Sequence, residues 1–323
     1  MKKIVFLTLI AILILACNVQ MMAATRTLKL AEAHPQGYPT ELGDEKFAQL
    51  VEQKTKGKIK IQVYFGGQLG NENDVVEQCK LGVIEFIRVS TAPVITVYPE
   101  IGVFAMPYLF RSQEHQWKVL NSSIGKHFLE AAEPVGLVGL GYFEAGVRNF
   151  YANKPINSLA DLKGMKIRVQ PAPVPVAMVK ALGAIPTPIA YGEVYSALQT
   201  GVVEGAENNY PSWVSAGHYE VAKYLLKDGH QRQPELVMAS KKLWSSLSMT
   251  EKKAIKDAMK EATEFQIKAW NDYEGKALQQ ALAKGCIVKE ANIAEFQAAV
   301  KSTYDLPEFK IYAPWVKKIN AVK

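Results

Sequence analysis

Hydrophobic and polar positions alternate in strand fashion over Thr27–Ala31. They do so again from Ile59 to Phe65, where Ile59, Ile61, Val63 and Phe65 interleave with Lys60, Gln62 and Tyr64. Between these runs, apolar spacing at Phe47, Leu50 and Val51 predicts a helix that ends near Gly57. FGGQLGNEND (65–74) reads as a loop with a helix start. That helix runs to about Leu81, Gly82 stops it, and VIEFIRVS (83–90) is the next strand. This βαβαβ rhythm predicts a largely parallel sheet with helices on both faces.

A second unit begins near residue 135. VGLVGLGYF (135–143) is a continuous apolar run that predicts a strand buried on both faces, and RNFYAN continues as a strand. Asn157 to Gly164 reads as a short capped helical turn, Met165–Val169 as a strand, and the residues after Pro173 as a helix to about Leu182. GEVYSALQT (192–200) is helical again, and VVEGAENN (202–209) leads into a loop. From about Thr250 to Lys284 the chain is rich in Ala, Lys, Glu and Gln with one internal glycine, Gly275. A helix there would reach roughly 50 Å, enough to bridge two lobes.

Residues 1–24 place Lys2 and Lys3 before an apolar stretch from Ile4 to Ala16, followed by small residues. That is the layout of a secretory signal peptide and is short for a membrane span. The body is expected in a periplasm. Ile14-Leu15-Ala16-Cys17 also resembles a lipobox, so lipidation at Cys17 stands beside cleavage after Ala24. The 323 residues, 49% of them hydrophobic, suffice for two domains with full cores. The formal charge of +7 is scattered, with no basic run that would make a nucleic-acid groove. Cys79 recurs with Val75 and Val76 at helical spacing and reads as a core thiol. A Cys79–Cys286 disulfide is the less favoured reading.

Short catalytic and nucleotide motifs are missing: there is no GxSxG, GxxxxGK[ST], HExxH or GxGxxG after a strand. His34, His115, His127, His218 and His230 fall at no metal-ligand spacing, and no CxxC occurs. No metal or cofactor is expected. An exported two-domain α/β chain of this kind favours a binding protein over an enzyme.

LADLKGMKIRVQ (159–170) and KALGAIPTPIAYGEVYSALQTGVVEGAENN (180–209), supported by FGGQLGNEND, FAMPYLF (104–110) and GVRNFY (146–151), carry a resemblance over nearly the whole mature chain. The chain resembles the DctP-type substrate-binding proteins of tripartite ATP-independent periplasmic (TRAP) transporters. The resemblance implies a two-lobed α/β periplasmic binding fold, each lobe a mostly parallel sheet flanked by helices, joined by crossover strands and a long helix. It implies lobes at 25–145 plus 234–273 and at 146–233 plus 274–323. It also implies a small organic-acid ligand, hand-over to TRAP permease membrane subunits, and a monomeric protein with no nucleic-acid partner.

Arg168 leads the candidate ligand residues. Strand alternation sets Lys166 and Arg168 opposite Ile167 and Val169, and the resemblance makes the Arg of this KIRV-like strand the carboxylate anchor. Its planar fork offers a carboxylate two parallel hydrogen bonds. Arg148 in GVRNFY is the second cation by the same resemblance, with an ion pair to Glu144 or Glu207 as the structural alternative. Asn208 matches the family amide after Glu207. Asn209 either helps or shapes the loop, and Glu207 would orient an arginine. In the first lobe Glu72, Arg88, Ser90 and His34 are the polar candidates, with exposed-strand and loop roles as the alternatives for Arg88 and His34. Tyr191 aligns with an aromatic that packs on the ligand. Relatives carry a polar residue just after the anchoring strand, and here Gln170 before Pro171 stands in that region.

HPQGYPT (34–40), IRVS (87–90) and VRNFY look most like members that bind sugar acids, uronates such as glucuronate or galacturonate in particular. A C4-dicarboxylate, 2-oxo acid or aromatic acid is the alternative ligand, and a ligand sensor feeding a receptor the alternative role. An enzyme on acidic sugars would need a carboxylate pair, for which only Glu72 with Glu207 can be nominated.

Overall fold

The structure, a computed structural model, describes residues 25–323. The expected leader and Cys17 lie outside the described residues. Among the described residues eleven strands form two sheets. In chain order they are β1 (Arg26–Ala31), β2 (Ile59–Tyr64), β3 (Phe86–Ser90), β4 (Leu137–Phe143), β5 (Arg148–Ala152) and β6 (Lys166–Val169). Then come β7 (Ile185–Pro188), β8 (Gly205–Asn208), β9 (Tyr224–Gln231), β10 (Glu235–Ser240) and β11 (Ile287–Glu290). The first sheet runs β2-β1-β3-β10-β4 and the second β11-β9-β5-β8-β6-β7.

Each sheet is mostly parallel, with one strand reversed. In the first, β10 lies antiparallel between β3 and β4. In the second, β5 lies antiparallel between β8 and β9. Both reversed strands are entry strands. The chain leaves the first sheet on β4 to enter the second on β5, and leaves the second on β9 to enter the first on β10. A strand that crosses between lobes arrives running against its new neighbours.

The first-half elements match the sequence pattern closely. The helix Glu72–Leu81 stops at Gly82, which adopts the left-handed φ of 74° that the C-terminal cap requires. Two expectations change. The 135–143 run becomes an edge strand of the first sheet whose central residues are only half-buried, because β4 pairs on one side alone. The 205–208 segment is no loop: it is β8, fully buried between β5 and β6.

The long helix spans Met249–Ala283 and starts on a capping box between Ser248 and Glu251. Its N-terminal half contributes Ile255, Ala258, Met259 and Ala262 to the core under the first sheet. Its C-terminal half contributes Ala277 and Ala281 to a core of the second. Between them the fully buried Trp270 packs with Tyr38 and Ala145. One element therefore enters the cores of both lobes.

Glu144 ties the two crossovers to that helix. It exchanges backbone–side-chain bonds with Gln266, at 2.7 Å and 2.9 Å, and accepts from Arg232 at 3.0 Å and Trp117 at 2.7 Å. Gly146, at φ 63°, carries the chain past it, and a Cβ there would press on Glu274 and Trp270. Residues 301–321, expected with the second lobe, send Phe309, Tyr312 and Ile319 into a cluster that holds Ile101, Phe104 and Phe128. Cys79 and Cys286 are free, buried thiols in separate clusters, so the disulfide alternative drops out.

Candidate functional site

Both sheets direct strand ends toward one polar chamber between the lobes. Ala33, His34, Glu72, Ser90 and Glu235 line it from the first sheet's side. Arg148, Arg168, Gln170, Tyr191, Asn208, Asn209 and Ser212 line it from the second. Nine of the ten residues nominated from the sequence thus meet on one wall or the other. Arg88 is the tenth and does not line the chamber.

Arg168 sits at the C-terminal end of β6, where open α/β sheets place their ligands. Ile167 and Val169 anchor the strand in the core, and Lys166 is exposed. The Arg168 side chain is 2% exposed. Its Nε donates to the Ile189 carbonyl at 2.8 Å, which fixes the fork. Among the described residues no carboxylate lies within 4.0 Å of it, and its two terminal nitrogens make no protein hydrogen bond. Burial pushes its pKa down, and Glu207 only partly opposes this. A desolvated, unneutralised guanidinium is costly to hold and is repaired by an anion.

Arg148, on β5, is neutralised instead. Its Nε and Nη2 grip the two oxygens of Glu207 at 2.5 Å and 2.9 Å, and Nη1 donates to Asn208 Oδ1 at 3.0 Å. Burial works against the charge of Arg148, but Glu207 more than offsets it and raises its pKa. The ion-pair alternative therefore holds for Arg148, which nonetheless borders the chamber. Asn208 Oδ1 also accepts from the Asn209 N–H at 2.9 Å. With its oxygen occupied, Asn208 presents its NH₂ group as a donor. Asn209 spends its side chain capping the helix Tyr210–Ser215, at 2.7 Å to the Ser212 N–H, and bonding the Ala145 carbonyl at 3.0 Å. It shapes the loop. Gln170 accepts from Gln233 at 2.6 Å, which leaves its own NH₂ group without a protein partner.

The opposite wall is acidic. Arg88, on β3, is fully buried and uses every N–H it has. Nε reaches Glu32 at 2.6 Å, and Nη1 reaches Glu235 at 2.7 Å and Glu72 at 3.5 Å. Nη2 reaches His34 Nδ1 at 2.7 Å and also the second oxygen of Glu32. The nomination of Arg88 as a ligand contact is corrected on this ground: it has no donor left to offer. Its role is to gather three carboxylates. Glu32 is saturated by Arg88, the His34 N–H and Thr40. Glu72 takes the Ser90 N–H at 2.7 Å and the Ser90 hydroxyl at 3.0 Å on one oxygen, and its other oxygen has no protein partner. Burial and then the charge of Glu235 push the Glu72 pKa up. His34 Nδ1 lies 2.7 Å from Arg88 Nη2 and 3.0 Å from Glu32 Oε1, which fixes the ring against the acidic wall. Burial lowers its pKa and keeps the ring neutral.

The lobes touch beside the chamber, next to the buried Trp270 of the long helix. Tyr38 precedes the helix Pro39–Lys54, and its hydroxyl meets Ser212 Oγ at 2.9 Å. Its ring stacks on His34 at 3.9 Å, and His34 tilts against Tyr191 at 4.8 Å. Glu32, Tyr38, Ser212 and Glu235 escaped the sequence reading. Glu32 carried a usable signal, since it stands two residues before His34 at the same strand end. Glu235 carried none, because β10 itself went unread.

A profile described as "Bacterial extracellular solute-binding protein, family 7" (DctP) matches residues 30–312. A solute-binding protein of Chromohalobacter salexigens is 35% identical over 274 residues, 84% of this chain and 82% of that one. The crystal structure of a TRAP periplasmic solute-binding protein from Xanthobacter autotrophicus Py2, with bound β-D-galacturonate, superposes with a TM-score of 0.88. It is 37% identical and covers 92% of this chain and 100% of that chain. The corresponding protein of Pseudomonas putida F1, with bound D-glucuronate, gives a TM-score of 0.90 at 35% identity, over 92% and 98% of the two chains.

Proposed function

The chain belongs to family 7 of the bacterial extracellular solute-binding proteins, the DctP family, and from that premise we propose that it captures a sugar acid, a uronate above all, for a TRAP permease. The observation that carries the reading is Arg168, a buried guanidinium without a counterion on a chamber whose far wall accepts hydrogen bonds. The ligand carboxylate docks on the Arg168 fork beside the Asn208 NH₂ group. Ring hydroxyls donate to Glu72 and Glu235, His34 borders the ring oxygens, and Tyr191 packs on the sugar face. The uronate complexes of similar fold support the same ligand class.

Capture proceeds by hinge closure about the two crossovers and the long helix, with lobes as expected from the sequence except that residues 307–321 move with the first. Closure seats Tyr38 on Ser212. Tyr38→Phe is expected to weaken binding several-fold, about 1 kcal/mol for one hydrogen bond. The loss should appear in the dissociation rate by stopped-flow fluorescence. An unchanged dissociation rate removes the latch from the mechanism.

The protein is read as non-catalytic and periplasmic. Glu207, the one nominated partner for Glu72 in an acid/base pair, is held ionised at about 2 against the cost of its burial by Arg148 and His230, and cannot serve as a proton donor. Among the described residues no helix is long and apolar enough to cross a membrane. Titration calorimetry against glucuronate, galacturonate, succinate, a 2-oxo acid and an aromatic acid tests the ligand class. Micromolar or tighter binding is expected for a uronate. Tight binding of succinate or an oxo acid with no uronate heat rejects it.

A further inference from the structure

The acidic wall does more than accept hydroxyl bonds. Three carboxylates from three separate segments converge on one guanidinium: Glu32 after β1, Glu72 at a helix start, and Glu235 on β10. Arg88 cannot neutralise three carboxylates and has no N–H left for a ligand. Glu72 and Glu235 border the chamber, and the cations that line it among the described residues, Arg148 and Arg168, stand on the opposite lobe. The chamber is therefore polar end to end, with its one unneutralised cation at the second lobe and surplus negative charge at the first.

Resting on the sugar-acid reading above, we propose that Glu72 and Glu235, held by Arg88, form a charge filter that admits acids with one terminal carboxylate and rejects those with a carboxylate at both ends. A ligand whose first carboxylate occupies Arg168 must present its far end to this wall. A hydroxyl there meets carboxylate acceptors. A second carboxylate meets carboxylates at low dielectric, and Arg88 has no N–H left to receive it. The same filter fixes the ligand's direction, since reversing it would set the carboxylate against the acidic wall.

The test is competition calorimetry against bound D-glucuronate, with D-gluconate and D-glucarate as a matched open-chain pair that differs only in the second carboxylate. Glucarate is expected to compete at least thirtyfold more weakly than gluconate. Glu72→Gln and Glu235→Gln should each shrink that gap at least fivefold. Equal competition by the two acids, or a gap that neither variant narrows, overturns the filter.

If the variants fail to fold, the wild-type protein is tested with a second matched pair, D-galactonate and D-galactarate. A gap of similar size is expected, and equal competition by this pair as well counts against the filter. If glucuronate does not bind at all while another acid does, the sugar-acid reading has failed. The filter is then judged on that acid and its doubly carboxylated homologue.

Discussion

Arg168→Ala is expected to weaken ligand binding by about 3–4 kcal/mol, two to three orders of magnitude in Kd, without lowering the stability of the unliganded protein. The two halves of this expectation have one cause. Arg168 has no carboxylate partner within 4.0 Å among the described residues, so its removal leaves no buried anion orphaned and relieves a desolvation cost. What is lost is the counter-charge for the ligand and two N–H donors in a fixed plane. Arg168→Lys should recover little, because an ammonium can neither bond the Ile189 carbonyl in the same way nor present a fork. Calorimetry and a thermal-shift series read both halves. A Kd within twofold of wild type ends the anchoring role. A drop of many degrees in the unliganded Tm would make Arg168 structural.

How much of this was legible in the chain follows from where the information sits. The first-lobe strands and helices alternate or repeat cleanly because each has one face in the core and one in solvent, as Lys58, Lys60 and Gln62 show around β2. β8, β9 and β10 carry the site and its crossovers but are buried on nearly all sides, so GAEN and ELVMAS have no alternation to read. Burial also decides what a charged residue does. Arg88, Arg148 and Arg168 look alike as strand arginines. Only the packing shows that the first is spent on Glu32, Glu72 and Glu235, the second on Glu207, and the third on nothing but a carbonyl. The resemblance located the chamber, but the division of labour within it depends on partners distant in sequence.

The largest stability effect is expected from the charge chain behind Arg148. Asp228 bonds His230 at 2.8 Å, His230 meets Glu207 at 3.4 Å, and Glu207 grips Arg148, all buried. Glu207→Gln leaves Arg148 without a carboxylate partner and His230 with Asp228 alone. Breaking a buried pair costs about 3–5 kcal/mol, a fall of roughly 10 °C in Tm for a chain of this size. The pH signature identifies the chain. Asp228 and Glu207 overcome the burial cost of a charged His230 and raise it from 6.5 to about 9. Its contribution is therefore complete below pH 6.5 and is lost as pH rises through 9, on the order of 3 kcal/mol in all. Glu207, lowered from 4.5 to about 2, gives the opposite limb: its contribution is complete above pH 4.5 and is lost as pH falls through 2. His230→Gln keeps an N–H donor but cannot titrate. It should lower Tm at pH 6, flatten the decline between pH 6.5 and 9, and move the acid limb upward, because His230 helps Arg148 hold Glu207 ionised. A His230→Gln melting profile that still falls in parallel with wild type between pH 6.5 and 9 would assign that decline to other groups and remove His230 from the support of Arg148.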